Sequence, residues 1–327
     1  ENVPTLRQVF SARCGEPVTM TKLVGIATSR DTDTPLALAL ERVVKPQSWD
    51  EALEAQKQAW AQEWKRTDVV IEGDDEAQIA VRFSLFQLLI AAPRTDSRVN
   101  IGAKTLSGFG YRGHAFWDTE IYMLPVFIYT APHIARNLLD YRYLTLNAAR
   151  AKAREFGYEG AWFAWESADT GEDVTPTWVP DFKDKKKLAR VWTGDLAIHI
   201  SADVAYGTYQ YWRATGDDVW FYERGAELIL DTAKFFAARA EWQAERGCYA
   251  YSDVVGPDEY HDHVNNNFYT NRLAQWNLKT AFEVLDWLRI NHPQKAIELV
   301  QKLELSEMRL AKWQDVEEKI CLHVQPN

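Results

Sequence analysis

The chain has 327 residues, with 37 Lys+Arg against 47 Asp+Glu and a formal net charge of −10. That length supports one large domain or two. The acidic balance argues against a polyanion-binding surface, so no nucleic-acid partner is expected. The one compact basic run, Lys183 to Lys187, reads as a solvated loop. No apolar run is long enough for a membrane span and no signal-peptide pattern stands at the N-terminus, so no membrane partner is expected. Cys14, Cys248 and Cys321 are odd in number and far apart, with neither a disulfide framework nor zinc-ligand spacing. A reducing, cytoplasmic setting is the expectation from them.

Residues 1–45 differ from the rest. The segments TLRQVFSARC and EPVTMTKLVGIATSR are short, β-branched and loosely alternating, as strands are. They are too few for a complete sheet and read as the end of a β domain. Residues 48–66 then predict a helix with Trp60 and Trp64 four apart on one face. Asp74, Asp75 and Glu76 mark an acidic helix start. Ile79, Phe83, Phe86 and Ile90 follow at helical spacing, and Pro93 ends the run. Further helices are expected near 117–130, 133–155, 198–214, 218–242, 271–290, 294–303 and 306–319.

Long polar, aromatic-rich loops join these helices at 94–116, 157–197 and 243–270. Loops of that length are rarely idle in a compact domain. If consecutive helices pack as antiparallel hairpins, alternate loops gather at one end and form a cup. An α/α toroid has that form.

The loops carry the chemistry. The first ends in GYRGHAFWDTE, offering Arg112, His114, Trp117, Asp118 and Glu120. Asp118 fits a helix N-cap, and equally a carboxylate that binds sugar hydroxyls beside a stacking indole. The second, GAWFAWESADTGEDVTPTW, crowds Trp162, Trp165, Glu166, Asp169, Glu172 and Trp178 together. The third is GPDEYHDHVNNN, in which Pro257 fixes a turn ahead of Asp258 and Glu259. Adjacent acids in an extended segment point to opposite sides, so one can be structural while the other enters the cup. His261 and His263 form an H-x-H pair without a third ligand at suitable spacing, and no metal site is expected. The 14 Trp, 14 Tyr and 14 Phe suit either a Trp-rich core or a surface that stacks on sugar rings. No Gly-rich nucleotide loop, G-x-S-x-G elbow or Cys nucleophile pattern is present. Isolated carboxylates among aromatics fit glycosidic-bond chemistry, in which one carboxylic acid protonates the leaving oxygen.

The stretches GYRGHAFWDTEIYMLPVF, WESADTGED, VWTGDLAIHISADVAYG and VVGPDEYHDHVNNNFYTN resemble the motifs of glycoside hydrolase family 65, in order, from about residue 20 to 290. The resemblance implies a mainly α fold, an (α/α)6 barrel (toroid) preceded by the end of a β-sandwich and a linker helix. The expected division is 1–45 for the sandwich end, 46–73 for the helical linker and 74–327 for the first part of the catalytic barrel. The barrel is expected to be incomplete, the chain being either one piece of a split or cleaved protein, completed by a second chain or fragment, or a truncated product; a homodimer is the assembly the resemblance implies. The resemblance implies Glu259 as general acid and Trp117 and Asp118 as holders of the reacting glucose, with Trp165 and Glu166 lining the same cup. His114, Asp258 and Tyr260 follow as further substrate-binding residues. It implies inverting phosphorolysis of an α-glucosidic disaccharide to β-glucose 1-phosphate. Inorganic phosphate is then a co-substrate, and no cofactor is needed. An inverting α-glucoside hydrolase, with Asp169 or Glu172 as base, and a noncatalytic sugar-binding barrel are the alternatives.

Overall fold

The computed structural model describes residues 7–44, 48–181 and 183–322. It divides into two compact units, Glu1–Asp68 and Val69–Asn327. The expected boundary at 45/46 lies outside the described residues.

The first unit holds α1 (Pro35–Val44) and α2 (Trp49–Thr67). The helix expected over 48–66 forms. Ser48 caps it, accepting from the Glu51 amide while the Glu51 carboxylate accepts from the Ser48 amide. Trp60 and Trp64 stack at 5.7 Å. The strands expected over 5–30 do not form within the described residues 7–30, which stay in exposed, irregular backbone. Alternating β-branched residues favour extension, but an extended segment becomes a strand only when its amides find a partner.

The second unit is helical. It contains α3 (Asp75–Ala91), α4 (Leu124–Thr130), α5 (Pro132–Leu144), α6 (Leu146–Glu155), α7 (Thr193–Leu196), α8 (Ile200–Thr215), α9 (Asp218–Trp220), α10 (Ala226–Arg239), α11 (Phe268–Asn291), α12 (Pro293–Lys302) and α13 (Glu307–Lys319). Two short hairpins interrupt them: β1 (Trp178–Pro180) with β2 (Leu188–Arg190), and β3 (Glu241–Gln243) with β4 (Cys248–Ala250). Local chemistry sets the ends. Asp74 caps α3 through the Ala77 amide, Asn267 caps α11 through the Thr270 amide, and Gly216 ends α8 in the left-handed conformation. Pro132 and Pro293 each open a helix, where a missing N–H costs nothing.

Buried on nearly every side, α10 packs on α8 and α11, and α11 packs in turn on α12 and α13. Leu228, Ile229, Phe235 and Phe236 of α10 have no exposed surface. Glu227 and Asp231 are buried among them, and Arg150 of α6 bonds both at 2.6 Å. The helix expected over 133–155 is broken at Thr145 into α5 and α6, and that over 218–242 is divided by a wide turn at Phe221–Gly225. On α3 the expected stripe is not the buried one: Leu85 and Leu89 are buried while Ile79 and Phe83 are exposed. Apolar residues lie nearly all round the last turns of α3, so spacing alone does not choose the face.

One feature contradicts the expectation from cysteine spacing. Cys248 on β4 and Cys321 after α13 form a disulfide, with Cα atoms 5.4 Å apart across 73 residues of sequence. The chain leaving α13 runs beside β4, and the Cys321 amide donates to the Tyr249 carbonyl at 2.7 Å. Two thiols remote in sequence are thereby neighbours in space. Among the described residues, no helix is long and apolar enough to cross a membrane.

Candidate active site

The three long loops meet. Ala115 and Ser167 exchange backbone bonds at 2.8 and 3.1 Å, joining the first loop to the second. The Val255 amide donates to the Leu196 carbonyl at 3.1 Å, joining the third loop to the second. Between them opens a cavity of about 620 Å³ lined by His114, Trp165, Glu166, Trp178, Thr193 and Glu259, among others.

The loop that delivers Glu259 is closed at its base. Val254 and Val264 exchange backbone bonds at 2.9 Å each, and the Asn266 amide donates to the Tyr251 carbonyl. Gly256 lies against the Asn267 side chain, where an added Cβ would stand 2.3 Å from the amide nitrogen. Only glycine lets the helix cap approach that closely. Asp258 serves the loop itself: it accepts from the Tyr260 amide at 3.1 Å and from His261 at 2.7 Å. Those two bonds hold its carboxyl below the usual carboxylate range. The two acids part as expected, Glu259 to the cavity and Asp258 to the loop, but at a turn closed by the His261 amide on the Asp258 carbonyl rather than in an extended segment. Glu259 is exposed at the cavity mouth, yet its carboxyl is pushed up, first by desolvation and then by the negative charge of Asp118.

The sugar-binding candidates divide. His114 donates from Nδ1 to Glu166 at 2.7 Å, and both line the cavity with Trp165. Trp117 is 8 % exposed and belongs to the hydrophobic cluster that also holds Trp165, Phe116 and Val255. Asp118 makes no side-chain cap bond to the helical turn it precedes. Its carboxyl, half-buried, is pushed up by desolvation. The cap alternative for Asp118 thus falls away. Tyr260 is 98 % exposed and is not brought to the cavity wall, nor is Asp258. A loop tip that must turn sharply throws its next side chain outward. His261 and His263 are held by different carboxylates, Asp258 and Asp253. Among the described residues no group of three or more His, Cys, Asp or Glu could hold a metal.

Three residues behind Trp165, none of them lining the cavity, escaped the sequence reading. His199, Asp203 and Tyr269 form a hydrogen-bonded line, with His199 Nδ1 and Tyr269 Oη each 2.7 Å from the Asp203 carboxylate. The available signal was a His and an Asp four apart in the otherwise apolar stretch LAIHISADVAYG. Arg142 was also missed. It bonds Glu120 through both carboxylate oxygens at 2.7 and 2.8 Å and the Phe116 carbonyl at 2.9 Å, fixing the backbone just before Trp117.

Comparison with known proteins places this geometry. Residues 1–63 match the glycosyl hydrolase family 65 N-terminal domain and residues 82–327 match the family 65 central catalytic domain. The chain is 44% identical over 320 residues to a kojibiose phosphorylase of Caldanaerobacter subterraneus subsp. tengcongensis, covering 96% of this chain and 41% of that protein. It is 40% identical over 310 residues to a 1,2-alpha-glucosylglycerol phosphorylase of Bacillus selenitireducens, covering 94% and 40%. A solved structure of a kojibiose phosphorylase-like protein from the human microbiome superposes with a TM-score of 0.76 at 27% identity, covering 90% of this chain and 40% of the other. The chain therefore spans about two-fifths of the length of the relatives it matches.

Proposed function

Because the chain belongs to glycosyl hydrolase family 65, we propose that the protein it comes from is an inverting phosphorylase. Its substrate is a glucoside with an α-1,2 linkage, and its products are β-glucose 1-phosphate and a free sugar or polyol. The linkage follows the relatives named for kojibiose and for 1,2-alpha-glucosylglycerol. One observation carries the chemistry: Glu259 stands at the mouth of a Trp165-walled cavity with its carboxyl raised above the ordinary range.

A carboxyl so raised keeps its proton nearer to neutral pH, as an acid catalyst must. It gives that proton to the glycosidic oxygen as the bond to the anomeric carbon breaks. A phosphate oxygen attacks the same carbon from the opposite face, so an α-linkage yields a β-phosphate. Glu259 is left ionised and recovers a proton from solvent. His114 and Glu166, on the cavity wall, would meet sugar hydroxyls, and Trp165 would meet an apolar ring face.

Hydrolysis by the same acid would need a carboxylate base across the ring. Asp169 and Glu172, the two acids expected to serve, do not line the cavity that holds Glu259. The test is an assay of the full-length protein on kojibiose with and without inorganic phosphate, following the product anomer by NMR. Phosphate-dependent formation of β-glucose 1-phosphate is expected. Equal glucose release in phosphate-free buffer, with no sugar phosphate on adding phosphate, would make the enzyme a hydrolase.

A further inference from the structure

His199 and Asp203 have no exposed surface. A carboxylate only accepts, so the His199 nitrogen 2.7 Å from Asp203 carries a hydrogen and the ring is fixed in that tautomer. The other oxygen of Asp203 accepts from the Tyr269 hydroxyl at 2.7 Å. The second ring nitrogen of His199, Nε2, is buried without a partner. A purely structural plug at this place would cost less as a phenylalanine or leucine, since an unmet buried polar atom is destabilising. Stability alone therefore does not account for a His–Asp pair here.

The location suggests what does. The imidazole stands edge-on to Trp117, with centroids 4.9 Å apart and planes at 83°, and to Trp165, at 6.1 Å and 85°. It thus contacts both indoles. Tyr269, in the first turn of α11, packs edge-on to the imidazole at 5.5 Å and also lies against Trp117, with centroids 6.2 Å apart. The cap of that helix, Asn267, is the side chain against which Gly256 of the acid loop is packed. A continuous line of contacts therefore runs from the indoles, through His199, Asp203 and Tyr269, to the helix that anchors the Glu259 loop.

We propose that His199, locked by Asp203 and Tyr269, is a positioning residue that sets Trp165, on the cavity wall, and the buried Trp117 behind the site in register with the acid loop. It acts through Trp117 and Trp165. The proposal rests on the reading of the cavity as a sugar site, and two readouts separate their failures. In the full-length protein, Tyr269→Phe removes one hydroxyl, and Asp203→Asn keeps the shape while replacing one of the two acceptor oxygens with a donor. His199→Ala removes the wedge, and His199→Asn restores a donor towards Asp203. Glucose affinity is measured by calorimetry, kcat and KM on kojibiose with phosphate, and Tm alongside.

Each of Tyr269→Phe and Asp203→Asn is expected to weaken glucose about tenfold and to lower kcat at least about tenfold, the loss typical of one misaligned buried bond. His199→Asn is expected to recover part of what His199→Ala loses. Wild-type glucose affinity and kcat in Tyr269→Phe, with only Tm displaced, would reduce the line to a structural role and overturn the proposal. Should Asp203→Asn fail to fold, Tyr269→Phe decides alone. A wild-type protein that binds glucose but does not turn over kojibiose would refute the activity reading, while the glucose arm still judges the positioning role. A wild-type protein that does not bind glucose would overturn both.

Discussion

At Glu259 the chemistry of the site reduces to one proton. Glu259→Gln keeps the side chain's size and removes that proton, so turnover of kojibiose should fall by ~10²–10⁴-fold with the fold intact. A near-wild-type rate would take Glu259 out of the acid's role. The raised carboxyl also predicts a stability signature. A group whose folded pKa exceeds its unfolded value contributes fully below the unfolded value, roughly pH 4.3 for Glu, and loses that contribution as pH rises through the folded value. Glu259→Gln, which cannot ionise, should therefore melt no lower than wild type near neutral pH. The two should converge in acid. Thermal melts between about pH 3 and pH 8 check the sign. A wild-type advantage that grows with pH would mean that the ionised carboxylate is the form the fold prefers. Asp118, raised by burial beside it, should behave alike in Asp118→Asn.

Among the elements, those specified by local rules were the ones legible in the sequence. Apolar spacing located the long helices, and the capping box at Ser48 and Glu51 marks the start of α2. Motif chemistry brought His114, Trp165, Glu166 and Glu259 to one cavity. What spacing could not give was set by partners far along the chain. The strands expected before residue 30 lack the pairing that would make them strands, and α3 turns Leu85 and Leu89 inward rather than Ile79 and Phe83. In the helix expected over 198–214 nothing but the spacing to Asp203 singles out His199, because Tyr269, which completes its line, is 70 positions later in the chain. The Arg142–Glu120 fork belongs to the same class, linking α5 to the turn after Trp117 across 22 residues. Both side chains are buried, so Arg142→Leu leaves Glu120 charged and unpaired. That should cost about 3–5 kcal/mol by urea unfolding. A cost below about 1 kcal/mol would show that Glu120 finds water or a proton instead.

For the whole molecule, the last 73-residue separation is closed covalently. The Cys248–Cys321 bond encloses the acid loop, α11, α12 and α13 in one ring. In a chain-entropy account, a loop of that length constrains the unfolded state by about 4 kcal/mol. Reduction should lower the melting temperature accordingly. The ring has a second consequence, for what a protease can do. Exposed loop tips are where nicking concentrates, and Tyr260, at the tip beside the acid, is 98 % exposed. A cut after Tyr260 severs the peptide chain but not the molecule, because one half keeps Cys248 and the other Cys321. Limited chymotrypsin digestion should therefore release the two pieces made by the Tyr260 cut, identified by mass, only when thiol is added. Those two pieces appearing separately without thiol would mean that the sulfurs are unjoined. If they are joined, a clipped protein can lose its acid's alignment while keeping its intact size.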